Sequence, residues 1–230
     1  MEDFVRLVPF FTRHEDWLYA GVFDGHRGDG VSRLASQQMH GILAAALLEG
    51  RPVDAAMRDA FHAFDERVAA EPCGSTAAIV VLQGDALTVA NAGDSHVALV
   101  SRGAVEQLTT DHRLTTEAEH RRVVAAGARI EGPYVCLRRG FGLMCTRSLG
   151  DRDFRKIGII AEPDVSIRAL GPEDEWIVLG TDGVWDGLAP EAVADLVRSA
   201  ATAKAAAEGI RDSALDANTD NVSVVAIRLP

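Results

Sequence analysis

The chain contains no apolar run near the roughly 18–20 residues of a membrane helix, and its first residues lack the basic-then-apolar layout of a secretion signal. Both absences point to a cytoplasmic protein without membrane partners. Cysteine is scarce: Cys73, Cys136 and Cys145 form an odd set with no pairwise motif, so structural disulfides are not expected. No cluster of Cys and His has zinc spacing either. Positive charge is also short, with 23 Lys and Arg against 34 Asp and Glu for a net −11, which argues against nucleic acid and anionic membranes. There is no internal repeat, low-complexity stretch or linker, so residues 1–230 are expected to form one domain and one monomeric unit.

What the chain does have is acid at the ends of apolar strands. Val22-Phe23-Asp24-Gly25-His26 delivers a carboxylate, a glycine carbonyl and an imidazole to one point. Downstream, Trp176–Leu179 runs into Thr181-Asp182-Gly183, and Thr219-Asp220-Asn221 precedes the last apolar strand, 222–229. If Phe4–Phe10 and Trp17–Phe23 form a hairpin, antiparallel pairing puts Asp3 opposite Asp24. If strand 222–229 lies antiparallel to strands 17–23 and 176–181, Asp220 falls at the edge where Asp24 and Asp182 finish their strands. Carboxylates packed this closely cannot all stay ionised without compensation, and hard divalent cations with oxygen ligands supply it, which implies a pair of Mg²⁺ or Mn²⁺ ions. Such a pair can lower the pKa of a shared water and clamp the attacking and leaving oxygens of a phosphoester. His26, beside these acids, is the candidate to protonate a departing alkoxide.

The remaining pattern predicts the frame. Apolar residues from Val31 to Leu47 recur at helical spacing over about 29–48, and Val53, Ala56, Met57, Ala60, Phe61, Phe64 and Val68 repeat the pattern. Strands are expected at 76–82, 86–90, 97–100 and 105–108, and helices at 115–127, 190–200 and 201–215. Glu117, Glu119, His120, Arg121 and Arg122 read as a solvated helix face. Gly132, Pro133, Gly140 and Gly142 make 128–145 read as a flap rather than a rigid element, and Asp94 reads as a turn residue. Paired helices around antiparallel strands indicate α+β, with sheets packed together and helices outside.

The ordered set Met1-Glu2-Asp3, Val22–His26, Gly74-Ser75-Thr76, Ala90–Ser95, Leu108–His112, Thr146–Asp151, Gly180–Asp186 and Asp220-Asn221 resembles the metal-dependent serine/threonine phosphatases of type 2C. The resemblance implies a four-layer α-β-β-α sandwich of two mainly antiparallel sheets, with a two-ion Mn²⁺ or Mg²⁺ site acting on phosphoserine and phosphothreonine in phosphorylated proteins. By motif match, Asp24, the Gly25 carbonyl, Asp182 and Asp220 would be direct metal ligands, while Glu2 and Asp3 would act through water. Asp111, Asp182 and Asp186 match the acids of a weaker third metal, and His26 matches the general acid. A flap over about 112–145 would shape access. One departure stands out: family members carry a phosphate-gripping arginine a few residues before Met-Glu-Asp, a position that would fall before Met1. Either the natural chain begins further upstream and supplies that arginine, or a nearby residue such as Arg6, Arg27 or Arg147 substitutes; Arg27 itself stands where a glycine commonly follows Asp-Gly-His.

Other phosphatase chemistries fail on residues. A cysteine nucleophile needs an arginine six positions on, where Ile79, Gly142 and Asp151 stand after the three cysteines. Gly93-Asp94-Ser95-His96 imitates the opening motif of the other large serine/threonine phosphatase group, but Val97 breaks it. The alternative from a different class is a catalytically weak homologue that binds phosphoproteins or a regulatory partner. The intact set of acids argues against it, because an unfilled carboxylate cluster repels itself.

Overall fold

The computed structural model describes residues 1–230. Its opening hairpin pairs Phe4–Pro9 with Trp17–Phe23 in the expected register, Phe4 opposite Phe23, so Asp3 and Asp24 face each other just beyond the last pair. The first sheet continues from Trp17–Phe23 to Ala77–Gln83, Ala86–Ala92 and Asp164–Ala169. A second sheet runs in the order Val224–Arg228, Asp174–Gly180, His96–Ser101, Ala104–Gln107. All of these pairings are antiparallel.

Side-chain alternation along the strands builds the layers. In the third strand Ala77, Ile79 and Val81 pack against helices α1 (Gly30–Leu48) and α2 (Val53–Arg67), beside Phe61 and Phe64. Ala78 and Val80 point the other way, onto Val97, Leu99, Ile177 and Leu179 of the second sheet. That sheet's outer face, with Val100, Trp176 and Val178, is covered by helices α5 (Pro190–Ser199) and α6 (Ala203–Ala217) through Val193, Val197 and Ile210. Burial on both faces explains why the central strands are apolar without interruption. The result is the expected α-β-β-α sandwich.

Three expectations need correction. Residues 128–145 are not irregular: Arg129–Glu131, Tyr134–Arg138 and Phe141–Leu143 form a small antiparallel sheet with its own core of Val123, Val135, Leu143, Cys145, Phe154 and Ile159. Gly132 and Gly140, at φ 60° and 69°, are its turns. Glu119, on helix α3 (Glu117–Ala125), is buried rather than solvated. The Asp164–Ala169 edge strand has no counterpart in the expectations, because most of its side chains are exposed and its apolar signal is weak. The three cysteines are buried free thiols. No helix is long and apolar enough to cross a membrane.

Candidate metal centre

The strand ends converge through side chain–backbone ties that span the chain. Thr181 Oγ1 donates to Asp3 Oδ2 at 2.9 Å and accepts from the Ser223 amide at 3.1 Å, binding the N-terminus to the ends of the Asp174–Gly180 and Val224–Arg228 strands of the second sheet. The Glu2 amide donates to Asn221 Oδ1 at 2.9 Å. Gly183 opens the short helix α4 (Asp182–Trp185), where a Cβ would lie 2.0 Å from the Asn221 carbonyl oxygen. Only glycine lets Asp182 sit beside the Asp220 loop. The Thr76 amide donates to the Asp24 carbonyl at 2.9 Å, and Thr76 Oγ1 lies 2.7 Å from Ser95 Oγ, which brings the 93–95 loop against the same edge.

These ties close a cleft of about 300 Å³ lined by Glu2, Asp24, Asp94, Asp182 and Asp220, by Tyr134 and Leu143 of the small sheet, and by Met144 just after it. Its electrostatics are those of crowded acids. Burial, then Asp182 and Asp3, push the Asp24 carboxyl well above its ordinary range. Asp182 is pushed up to about 6 by burial and then by Asp94, with Asp220 and Asp186 adding to it. Asp3 is also raised, by burial, although the Thr181 and Ser223 bonds offset part of the effect. A larger depression of about 530 Å³ around Arg102, Trp176, Arg198 and Arg228 lies at the far end of the Asp174–Gly180 strand, and it holds no comparable acid cluster.

His26 stands at the cleft's edge with a buried partner. Its Nε2 is 2.5 Å from Asp151 Oδ2, and the Asp151 carboxyl also accepts from Ser148 Oγ at 2.7 Å and Arg27 at 3.0 Å. Burial alone would raise Asp151, but His26, Ser148 and Arg27 outweigh it and hold the carboxyl below its usual range. Gly74 makes the pairing possible, since a Cβ there would sit 2.0 Å from Asp151 Oδ2 and 2.5 Å from His26 Nε2. Arg27 and Asp151 both adopt left-handed backbone, at φ 66° and 48°, so strain is concentrated at this corner.

The sequence-predicted residues therefore divide. Glu2, Asp24, Gly25, His26, Arg27, Asp182 and Asp220 line the cleft together, and Asp3 lies immediately behind it on Thr181. Asp111 is drawn aside, 2.5 Å from His96 Nε2 and 3.1 Å from Gln107 Nε2. Asp186 is held bidentately by Arg113 at 3.0 and 3.1 Å. Arg147 faces away from the cleft: its guanidinium is committed to Glu119, Asp164 and the Glu162 carbonyl. Arg6 does not line the cleft either, which leaves Arg27 as its one lining guanidinium. Reading residue by residue misses Asp94, Asp151 and Arg113. Asp94 is buried with Arg113 Nε 2.6 Å away, so the turn reading undervalues it. Asp94 and Asp151 both stand inside the motifs that carry the resemblance, which is the signal that could have found them.

The donor set suits hard divalent ions: every candidate is oxygen, and Asp3, Asp24 and Asp182 resist ionisation in the absence of a cation. No three of these side chains already form a closed cage.

A family model described as Protein phosphatase 2C matches residues 1–223. Protein phosphatase 2C homolog 2 of Hypocrea jecorina is 32% identical over 219 residues, covering 88% of this chain and 49% of its own length. Protein phosphatase 2C homolog 1 of Saccharomyces cerevisiae is 31% identical, covering all of this chain and 88% of its own. This chain thus spans about half the length of several curated relatives, and most of the yeast one. Among solved structures, a C. elegans sex determining protein superposes with TM-score 0.87 at 25% identity, over 99% of this chain and 61% of its own. A serine-threonine phosphatase 2C from Toxoplasma gondii gives 0.81 at 22% identity, over 99% and 90%, a likeness of fold alone.

Proposed function

The chain belongs to the protein phosphatase 2C family, and we propose that residues 1–230 form one catalytic domain that hydrolyses phosphoserine and phosphothreonine esters in phosphorylated proteins. The observation that carries this reading is the group of crowded carboxylates in one cleft, Asp24 and Asp182 half-buried and raised in pKa, with the His26–Asp151 pair at its edge. Asp24, Asp182, Asp220 and the Gly25 carbonyl would hold two Mn²⁺ or Mg²⁺ ions, with Glu2 and Asp3 acting through water. Such ions, when bound, supply a water nucleophile of lowered pKa and charge compensation for the phosphoryl oxygens.

The protein's own residues do the rest. Asp151, ionised and buried, fixes the His26 ring by accepting from Nε2, which leaves Nδ1 to hold the proton given to the serine or threonine oxygen as it leaves. Arg27 takes the phosphate: it is the cleft's one lining guanidinium, and Asp151 together with the Phe141 and Phe154 rings, 4.8 and 5.3 Å from its carbon, restrict its motion. Tyr134 and Met144 also line the cleft and offer a surface against which a peptide would lie.

The test is release of phosphate from a phosphothreonine peptide with Mn²⁺ or Mg²⁺, with added chelator, and in Asp182→Ala. Activity that needs the ion and is lost in the variant supports the reading. Wild-type turnover no higher than that of Asp182→Ala would instead leave a phosphoprotein-binding module.

A further inference from the structure

The motif match gives a third divalent ion to Asp111, Asp182 and Asp186, yet the structure puts a guanidinium there. Arg113 donates through Nε to Asp94 Oδ2 at 2.6 Å, through one terminal nitrogen to Asp186 Oδ1 at 3.0 Å, and through the other to Asp186 Oδ2 at 3.1 Å and Asp182 Oδ2 at 3.2 Å. Three carboxylates thus surround one planar cation whose forked donors match them. Asp111, the remaining expected ligand, turns to His96 and Gln107 instead.

The position is built into the backbone. His112 is buried, its amide donates to the Gly93 carbonyl at 3.1 Å, and its Nδ1 accepts from the Gly93 amide at 3.1 Å. The Thr146 amide donates to the His112 carbonyl at 2.6 Å, and Arg113 itself forms an isolated bridge with Cys145. The Arg113 carbonyl accepts from Thr116 at 3.0 Å. The chain on both sides of Arg113 is therefore tied to the 93–95 loop and to the root of the small sheet, and its side chain is mostly buried.

We propose that Arg113 is a resident cation: its guanidinium occupies, between Asp94, Asp182 and Asp186, the place of a third divalent ion, so that this protein binds two divalent ions and no third. A positive charge on a side chain cannot dissociate or be diluted. It holds Asp182 in place at every metal concentration and offsets part of the negative charge of Asp94 and Asp186 without a low-affinity site. The proposal rests on the two-ion reading above, but it concerns the count of bound ions rather than turnover. Two ions bound without phosphatase activity would defeat the functional reading alone.

The experiment titrates Mn²⁺ into the full chain and follows free Mn²⁺ by electron paramagnetic resonance, with no substrate present. The wild type is expected to bind two ions. Asp186→Asn should also bind two, because Asp186 serves Arg113 rather than a metal. Arg113→Gln, confirmed as folded by circular dichroism, should gain a third and weaker ion, and Arg113→Gln with Asp111→Asn should lose it again. Three ions on the wild type, a lower count in Asp186→Asn, or a folded Arg113→Gln that stays at two would each overturn the proposal. Fewer than two ions on the wild type would overturn it together with the two-ion reading.

Discussion

Two groups of buried acid in this molecule are balanced in opposite ways. Glu119, on α3, receives both terminal nitrogens of Arg122 at 2.6 Å, two donors of Arg147 at 2.8 and 3.1 Å, and Thr146 Oγ1 at 2.5 Å. Burial would raise it, but these partners win and hold its carboxyl far below the ordinary range. Asp3, Asp24 and Asp182 crowd one another at the cleft and are driven upward, and of the three only Asp182 reaches a guanidinium, that of Arg113, which it shares with Asp94 and Asp186. The first group supplies its own counter-charges and staples the small sheet to the sandwich. The second lacks them, and that deficit marks the place for a cation from solution.

The sharpest way to break the contrast is to neutralise one acid in each group. Asp24→Asn should lower turnover by about 10³-fold, equivalent to the several kcal/mol that metal ions contribute to such a reaction. In chelator the same variant should unfold at a higher temperature than the wild type, because it removes a crowded charge. Glu119→Gln should do the reverse, costing about 3 kcal/mol of stability by leaving Arg122 and Arg147 without a counter-charge. A melt in which both variants shift in the same direction would erase the distinction.

His26→Ala sits between the two. Ion binding should persist while turnover falls by roughly 10²–10⁴-fold for alkyl phosphate esters, and by much less for p-nitrophenyl phosphate, whose leaving group needs no proton. Equal losses on both substrates would show that His26 does not donate one.

The smallest effect is in pH. Asp24, Asp3 and Asp182 bind protons more tightly folded than unfolded. Their contribution is therefore fully present below the ordinary carboxylate pKa of about 4 and is lost as pH rises through the folded values, about 6 for Asp182. The chelated protein should thus lose a few degrees of melting temperature between pH 4.5 and 6.5, and excess Mg²⁺ should remove or reverse the trend, since ligands must be deprotonated. Glu119 has the opposite sign: its contribution is present above the ordinary glutamate value and lost only as pH falls through its depressed folded one. Glu119→Gln should therefore leave the slope in this window intact, and Asp24→Asn should flatten it.

Strand ends were readable because alternation and register are local: the pairing of Phe4 with Phe23 follows from hairpin arithmetic, and it carries Asp3 to Asp24. Four layers follow from strands that are apolar on both faces. Partnerships across the fold were not readable. Nothing near Glu119 in sequence announces that Arg147 would bind it, and a charged helical face looks the same whether water or a guanidinium covers it. The small sheet is hidden because its strands are three to five residues long and its turn glycines make the segment read as a flap. Arg113 was missed because a basic residue after Asp-His carries no periodicity and gains meaning only from the three carboxylates around it.

The most direct test is anomalous scattering from crystals soaked in Mn²⁺. Two peaks within the cleft, in contact with Asp24, Asp182 and Asp220 and none at Glu119, are the predicted result. Manganese absent from the cleft, or bound as readily beside Glu119, would contradict the claim that uncompensated acid is what makes this site.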